Sequence, residues 1–462
     1  MHETTEVITD KAFKRSVLAV TAFAAYLTPF LGSAVNLALP SIGKDLNASA
    51  LGLGWITSSF ILSSAVFLLP FGRLADIAGR KKVFTAGLAL FTLSAILIAL
   101  ARDMASMIAF RIIQGIAGAM IFGTSMAIIT SVFPAGERGR ALGINVTAVY
   151  LGLSTGPIIG GLLTRYFGWR SLFVFLIPFG IAAIILVTTQ IKKEWAESQN
   201  EKFDLTGSLL YGLALFGLMF GFSKLPSAAG WIFLASGTFL GTIFVIFERK
   251  TKNPVFDIRL ILRNRIFAFS GMAALINYSA TSAVGFFVSL YLQYLKGFDA
   301  REAGLIMISQ PIAMTLLSPV AGRLSDKHDP GKIASVGMGF TAAGLIALCF
   351  LTPDTPISTI VILLTVLGIG FGLFSSPNSN AIMSSVEKRY LGVASGVVGT
   401  MRMVGQMFSM GIAMMLISLF IGNQTINPAT HTGFISGMKT SFVIFAALSL
   451  LGIFASLARN RR

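Results

Sequence analysis

Charge is what this chain has least of. Only 12% of its 462 residues are Asp, Glu, Lys or Arg and 55% are hydrophobic, whereas a soluble domain carries roughly 25% charged residues. Water is therefore excluded as its sole solvent. Cysteine is nearly absent as well: Cys349 stands alone and cannot close an intramolecular disulfide, which removes a stapled scaffold from consideration. The three histidines (His2, His328, His431) and all nineteen acids fall in the N-terminal segment, in polar connections or at the ends of apolar runs. No metal-ligand cluster and no set of nucleophile, base and orienting group stands within those runs, so no metal, no cofactor and no enzymatic activity are expected. The phosphate-cradling pattern GxxxxGK[ST] is missing, which speaks against a pump driven by nucleotide hydrolysis. The opening MHETTEVITDKAFKRS carries both signs of charge and precedes an apolar run too long for a signal peptide, so no cleaved leader is expected.

What is present in abundance is apolar length. A hydrocarbon core of about 30 Å takes roughly 20 apolar residues per helix. Fourteen runs qualify: 16–39, 51–72, 83–101, 104–133, 141–163, 171–191, 205–223, 228–247, 266–294, 303–321, 333–351, 357–383, 391–420 and 433–457. The polar stretch GNQTINPATHT (422–432) separates the last two.

The formal charge of +17 would suggest nucleic acid in a soluble protein. Its distribution says otherwise. With the N-terminus inside, 26 of the 36 Lys and Arg fall in connections on the cytoplasmic side, 7 on the other side, and Arg111, Arg402 and Lys439 within spans. That is the positive-inside bias of a multi-pass cell-membrane protein with both termini cytoplasmic. The expected partners are the lipid bilayer and a small amphipathic substrate, with protons as a candidate driving ion and no nucleic acid. The chain is expected to act as a monomer.

The turn after the second run reads GRLADIAGRKK (72–82), and the turn after the tenth reads GRLSDKHDPGK (322–332), 250 residues later. Both put Gly-Arg-Leu-x-Asp at the end of an apolar helix, which points to an internal duplication. Such repeats are common in secondary transporters, with the substrate near the midplane between them. Two runs beyond twice six then form a central hairpin. The organisation read from this is a six-helix bundle over 1–191, a hairpin with cytoplasmic flanks over 192–265, and a second six-helix bundle over 266–462. The flank 248–265 alternates apolar and basic residues, the pattern of a helix lying at the headgroups.

Several positions demand explanation. Arg111, in RIIQGIAGAM, sits about seven residues, or roughly 10 Å, from the end of its run, where an arginine costs roughly 2.5–3.5 kcal/mol on insertion scales. Gln114 shares its face of the helix. Gly152, Gly156 and Gly160 recur every four residues and allow close helix approach, and Pro157 can bend the span. Asp76 stands among Arg73, Arg80, Lys81 and Lys82, where an acid can pair with a cation or cap a helix.

At these residues the chain resembles the major facilitator superfamily, in particular the fourteen-span drug:proton antiporters of the EmrB/QacA type. GRLADIAGRKK is similar to the family's signature turn at Gly72, Leu74, Ala75, Asp76, Gly79, Arg80 and Lys81. RIIQGIAGA is similar to its arginine motif at Arg111, Gln114, Gly115 and Gly118. GLSTGPIIGG (152–161) is similar to its antiporter motif, and NLALPSI (36–42) fits the end of its first span. The resemblance implies an all-α membrane protein of the MFS fold, with fourteen transmembrane helices as two six-helix bundles plus a central two-helix hairpin. It implies a secondary active exporter of amphipathic drugs or metabolites working by alternating access. Gating would fall to Gly72, Asp76, Gly79, Arg80, Gly156, Pro157 and, in the second copy, Asp326. Spans one, four, nine and twelve would line the cavity, which with Arg402 as the second-half counterpart of Arg111 offers Asn36, Arg111, Gln114, Asn277, Tyr278, Phe374, Asn378 and Arg402.

One departure matters. Where the family places an aspartate in the first span, this chain has Leu31. An interior holding Arg111, Arg402 and Lys439 without a mid-membrane carboxylate disfavours organic cations and favours anionic or neutral amphiphiles. Arginine does not titrate at physiological pH. Proton coupling would then run through Asp76, through a span-end acid such as Glu302 or through a proton carried by the substrate, or be absent and leave a facilitator. The alternatives are a facilitator or exchanger of an anionic amphiphile, and a non-transporting receptor or scaffold.

Overall fold

The computed structural model describes residues 11–196, 198, 201–256, 264–386 and 391–459. In order the helices are α1 (Lys11–Asp45), α2 (Ala50–Ala78), α3 (Arg80–Ala99), α4 (Met104–Val132), α5 (Ala135–Phe167), α6 (Arg170–Gln190), α7 (Leu205–Lys224) and α8 (Ala228–Glu248). The second half follows with α9 (Arg265–Thr281), α10 (Val284–Leu290), α11 (Ala300–Met307), α12 (Ser309–Lys327), α13 (Pro330–Leu348), α14 (Ile357–Ser384), α15 (Leu391–Phe420) and α16 (His431–Ala458). Among the described residues, fourteen segments are long and apolar enough to cross a membrane. The chain is a multi-pass, all-helical membrane protein. Lipid offers no partner to a backbone N–H or C=O, so the crossing segments satisfy theirs within the protein, mostly along their own helix.

Local chemistry sets the helix ends. Asp103 and Ser106 form a capping box at α4, as Asp299 and Glu302 do at α11. The Gly207 N–H donates to Asp204 at the start of α7, and the Phe267 N–H to Asn264 at the start of α9. Positive φ falls on Asn47, a residue type that tolerates it, and on Gly79, Gly168, Gly297 and Gly422 in the turns, where most side chains would be strained.

Two boundaries differ from the sequence reading. The first apolar run covers 16–39, yet α1 extends to residues 11 and 45, because a helix does not stop where the hydrocarbon does. The ninth run, 266–294, is not one helix: it breaks after Thr281, and residues Tyr291–Leu295 form a π-helical turn. At the break the Ala283 N–H donates to the Ser409 hydroxyl of α15 at 2.9 Å, so the departure from helical pairing leaves that donor satisfied. Of the headgroup helix expected over 248–265, residues 249–256 form turns and bends rather than a helix, and 257–263 lie outside the described residues.

Packing repeats between the halves. In the first, α1 packs on α5, α2 on α4, and α3 on α4 and α6. In the second, α9 packs on α15, α12 on α14, and α13 on α14 and α16. Counted by span, these are the same pairings. The hairpin helices α7 and α8 meet through glycine: a methyl group built on Gly217 would lie 2.9 Å from the Gly237 Cα. α7 in turn packs on α2 of one half and α15 of the other. Large apolar side chains such as Trp231, Phe239, Leu316 and Phe454 point outward, as a lipid-facing surface requires.

Candidate functional site

Arg111 on α4 is 1% exposed. Its Nε donates to the Ile56 carbonyl of α2 at 3.0 Å, and a terminal nitrogen donates to Gln114 Oε1 at 2.7 Å. The guanidinium also lies 4.6 Å from the centroid of the Phe60 ring. No carboxylate pairs with it among the described residues, and it does not face lipid. Its cost is offset by two charge-assisted hydrogen bonds and a cation–π contact. The helices come this close because residue 115 is glycine: a methyl group there would strike Ser63 and the Phe60 carbonyl. The Gln114 amide nitrogen stays buried without a partner.

Arg402 occupies a different place. It stands on α15 of the second half, with its guanidinium 4.8 Å from the Phe122 ring of α4 in the first. Its Nε is buried without a partner, and it faces the Tyr278 hydroxyl together with Ser375. Hydroxyls continue from there across the seam. Tyr150 of α5 donates to Ser375 at 3.0 Å, Ser318 donates to Tyr150 at 3.4 Å, Ser318 and Ser376 lie 3.0 Å apart, and Ser154 and Thr315 are 3.3 Å apart. Arg402 and Tyr278 thus stand on a row of hydroxyls drawn from both halves.

The other expected lining residues disperse. Asn277 is fully buried and both of its amide atoms lack partners. Asn36 joins the halves instead, its carbonyl accepting from Ser289 at 2.6 Å while its side-chain oxygen is unpaired. Phe374 packs into a cluster with Tyr278, Ala274 and Met338. Asn378 belongs to another network altogether. Its amide donates to the Ser270 carbonyl at 3.1 Å and its oxygen accepts from Arg459 at 3.3 Å.

At the end carrying the basic turns, Asp76 pairs with Arg80 one helical turn on, at 2.8 Å. Arg80 also donates to Ser131 and to the Ala127 carbonyl of α4, so the turn is tied to a third helix. Gly79 has φ +119°, and Glu194 covers it. That carboxylate accepts from the Lys81 and Lys82 backbone N–H groups at 2.8 and 3.2 Å, capping α3. Gly72 has open space beside it. In the second copy Asp326 accepts from Asn380 at 3.2 Å.

At the opposite end α5 is shared. Methyl groups on Gly152, Gly156 or Gly160 would collide with α1, while one on Gly304 would strike the Pro157 carbonyl and one on Gly161 the Ala300 carbonyl. One face of the motif packs within its bundle and the other closes against the second half. Arg165 and Asp299 add an ion pair across that seam at 3.1 Å.

Sequence reasoning missed two residues. Arg459, counted among the basic tail, is 3% exposed and donates to Ser270, Asn378 and Ser456. Burial pulls its guanidinium down to about 10. Glu194 looked like one charge in a polar linker. Neither carried a signal in the sequence, because both roles depend on which distant helix end the side chain meets.

A family model described as "Major Facilitator Superfamily" matches residues 20–410 and 270–462. Over 440 residues the chain is 28% identical to the "Riboflavin transporter RibZ" of Clostridioides difficile (strain 630), covering 95% of each. It is 30% identical over 439 residues to the "Cephamycin export protein CmcT" of Amycolatopsis lactamdurans, covering 92% of this chain and 89% of that one. Among solved structures, a bacterial homolog to the human lysosomal transporter Spinster, in an inward-facing and unoccupied conformation, matches with a TM-score of 0.69. It is 17% identical and covers 98% of this chain and 99% of that chain.

Proposed function

The chain belongs to the Major Facilitator Superfamily, and from that premise we propose that it exports anionic or neutral amphipathic small molecules across the cell membrane by alternating access. It is a transporter and not an enzyme. The observation that carries the substrate class is Arg402. It is a guanidinium at the seam of the two halves, with an unpartnered Nε, the Phe122 ring against it and the Tyr278 hydroxyl in its neighbourhood. A fixed positive charge in a low-dielectric cleft attracts anions and repels cations. Arg111 is already held by Ile56 and Gln114, so its part is to brace α2 against α4 and add positive potential. Asn36, Gln114, Asn277 and Tyr278 supply polar edges around an otherwise apolar interior, and Phe374 and Asn378 support that wall from behind.

Alternating access is supported by the placement of the cross-half contacts described above, which lie at midplane or at the end away from the basic turns. With the basic turns taken as cytoplasmic, this conformation is sealed outside. The Asp76–Arg80 clasp, Gly72, Gly79 and Asp326 govern the inner end, and Gly156 and Pro157 the outer one.

The test is flux in proteoliposomes with a panel of differing charge: anilinonaphthalene sulfonate, riboflavin and ethidium, each with and without a pH gradient. Movement of the anion and the neutral flavin, with ethidium excluded, is the expected result. Transport of ethidium alone would defeat the proposed selectivity.

A further inference from the structure

The hairpin holds a buried acid that neither the transport reading nor the signature motifs use. Glu248, the last residue of α8, is 1% exposed. Its Oε2 accepts from the Phe256 N–H at 3.4 Å, while its Oε1 is buried with no hydrogen-bond partner. Across the hairpin Asp204 shows the same asymmetry. Oδ1 accepts from the Gly207 N–H at 2.8 Å, and Oδ2 is buried and unpartnered. The two orphaned oxygens converge over Gly207, since a methyl group built on that glycine would collide with both. A side chain at 207 would occupy the space in which they meet.

Among the described residues, no cation is paired with either carboxylate. α7 is the helix packed against α8, and Asp204 stands at its near end. Lys202, Arg249, Lys250 and Lys252 are exposed. Arg73, reaching in from α2, pairs with Glu201 through a terminal nitrogen, while its Nε is buried without a hydrogen-bond partner. Two buried carboxylate oxygens that face each other, with no described cation between them, repel as like charges at short range, and sharing a proton relieves that repulsion. An O–H···O bond between them would satisfy both orphaned atoms at once.

We propose that Asp204 and Glu248 form a proton-binding site at the foot of the hairpin, holding one proton between Asp204 Oδ2 and Glu248 Oε1. The proton comes from solvent water and returns to it, with an O–H bond made and broken. Its link to transport rests on the exporter reading. α7 touches both bundles: Tyr211 donates to the Ala65 carbonyl of α2 at 3.1 Å, and Phe222 packs edge-on against Phe408 of α15. Loss of the proton leaves two like charges that push the feet of α7 and α8 apart at the seam. This gives a chain without a mid-membrane carboxylate a group that can bind the driving ion.

Infrared difference spectroscopy of the full-length protein in liposomes, titrated through neutral pH, reads the proton directly. Wild type is expected to show a deuterium-sensitive stretch of a protonated carboxyl at neutral pH. Glu248→Gln and Asp204→Asn are each expected to lose it. Should Glu248→Gln fail to fold, Asp204→Asn carries the comparison. A wild-type spectrum without the band, or a band surviving in whichever variants fold, overturns the site. In flux assays with anilinonaphthalene sulfonate, Glu248→Gln is expected to lose stimulation by a pH gradient while keeping exchange at equal pH. Retained stimulation overturns the link to transport. If wild type moves none of the panel, the exporter reading fails, and the infrared band alone decides the proton site.

Discussion

The Glu194 carboxylate rests on Gly79, filling the space that a side chain at that position would need and capping the first turn of α3. The segment leading to the hairpin is thereby fastened to the signature turn. Two further contacts extend the fastening: the Arg80 N–H donates to the Trp195 carbonyl, and the Ser198 N–H to the Asp76 carbonyl, at 2.8 and 2.9 Å.

Gly79→Ala combines a positive φ with a collision, and strain of this kind costs about 1–3 kcal/mol. The variant is expected to insert into the membrane, unfold at lower temperature than wild type and transport poorly. Gly72→Ala, with open space and no positive φ, is expected to leave the melting temperature unchanged. Thermal unfolding of the two purified variants side by side checks the contrast, and equal melting would remove the Glu194 contact as the reason for glycine at 79.

Asp76→Asn keeps the shape of the clasp and removes its charge. A partly exposed pair of this kind contributes roughly 1 kcal/mol or less, so folding and insertion should survive while flux falls. Wild-type flux in the variant would show that the clasp has no gating role.

Arg111→Lys retains a charge but loses the planar fork that reaches the Ile56 carbonyl and Gln114 together. One of the two charge-assisted hydrogen bonds is lost, at about 1.5–3 kcal/mol. Detergent-solubilised Arg111→Lys should therefore melt below wild type. Unchanged stability would mean that the two hydrogen bonds do not brace α2 against α4.

Arg402→Gln removes the seam charge while preserving a polar side chain. Losing a charge-assisted contact of about 1.5–3 kcal/mol corresponds to roughly tenfold or more in affinity. The expected signature is a raised KM for anilinonaphthalene sulfonate with riboflavin little affected. An equal fall for both would assign Arg402 a packing role.

Arg459→Ala leaves Asn378 Oδ1 and the Ser270 hydroxyl without their buried donor, at a cost of about 1–3 kcal/mol. A lower melting temperature with unchanged membrane orientation is expected. Unaltered melting would show that the link between α9, α14 and the end of α16 is dispensable.

Much of this protein is written in its order of residues. The lengths of apolar runs and the glycines and prolines between them depend on nearest neighbours and on the solvent, so fourteen spans could be counted and the described residues hold fourteen. The paired GRL-x-D turns pointed to a duplication, but which helices pair within each half was not legible in them. The four-residue glycine spacing foretold a close helix contact, though not that α5 would use one face for α1 and the other for the second half.

Tertiary structure alone decided who meets whom. Arg111 and Arg402 look alike in sequence, yet one is enclosed by Ile56, Gln114 and Phe60 while the other stands at the seam with an unmet nitrogen. Asn378 sits on an expected lining span but serves Arg459, a residue that charge counting assigned to the tail. Asp204 and Glu248, 44 positions apart along the chain, read as ordinary helix ends until the glycine contact of α7 with α8 sets them face to face. Hydrophobic transfer and local hydrogen bonding act over a few residues, so sequence reveals them. Coulombic pairing and burial act through space, and the chain must fold before either has a partner.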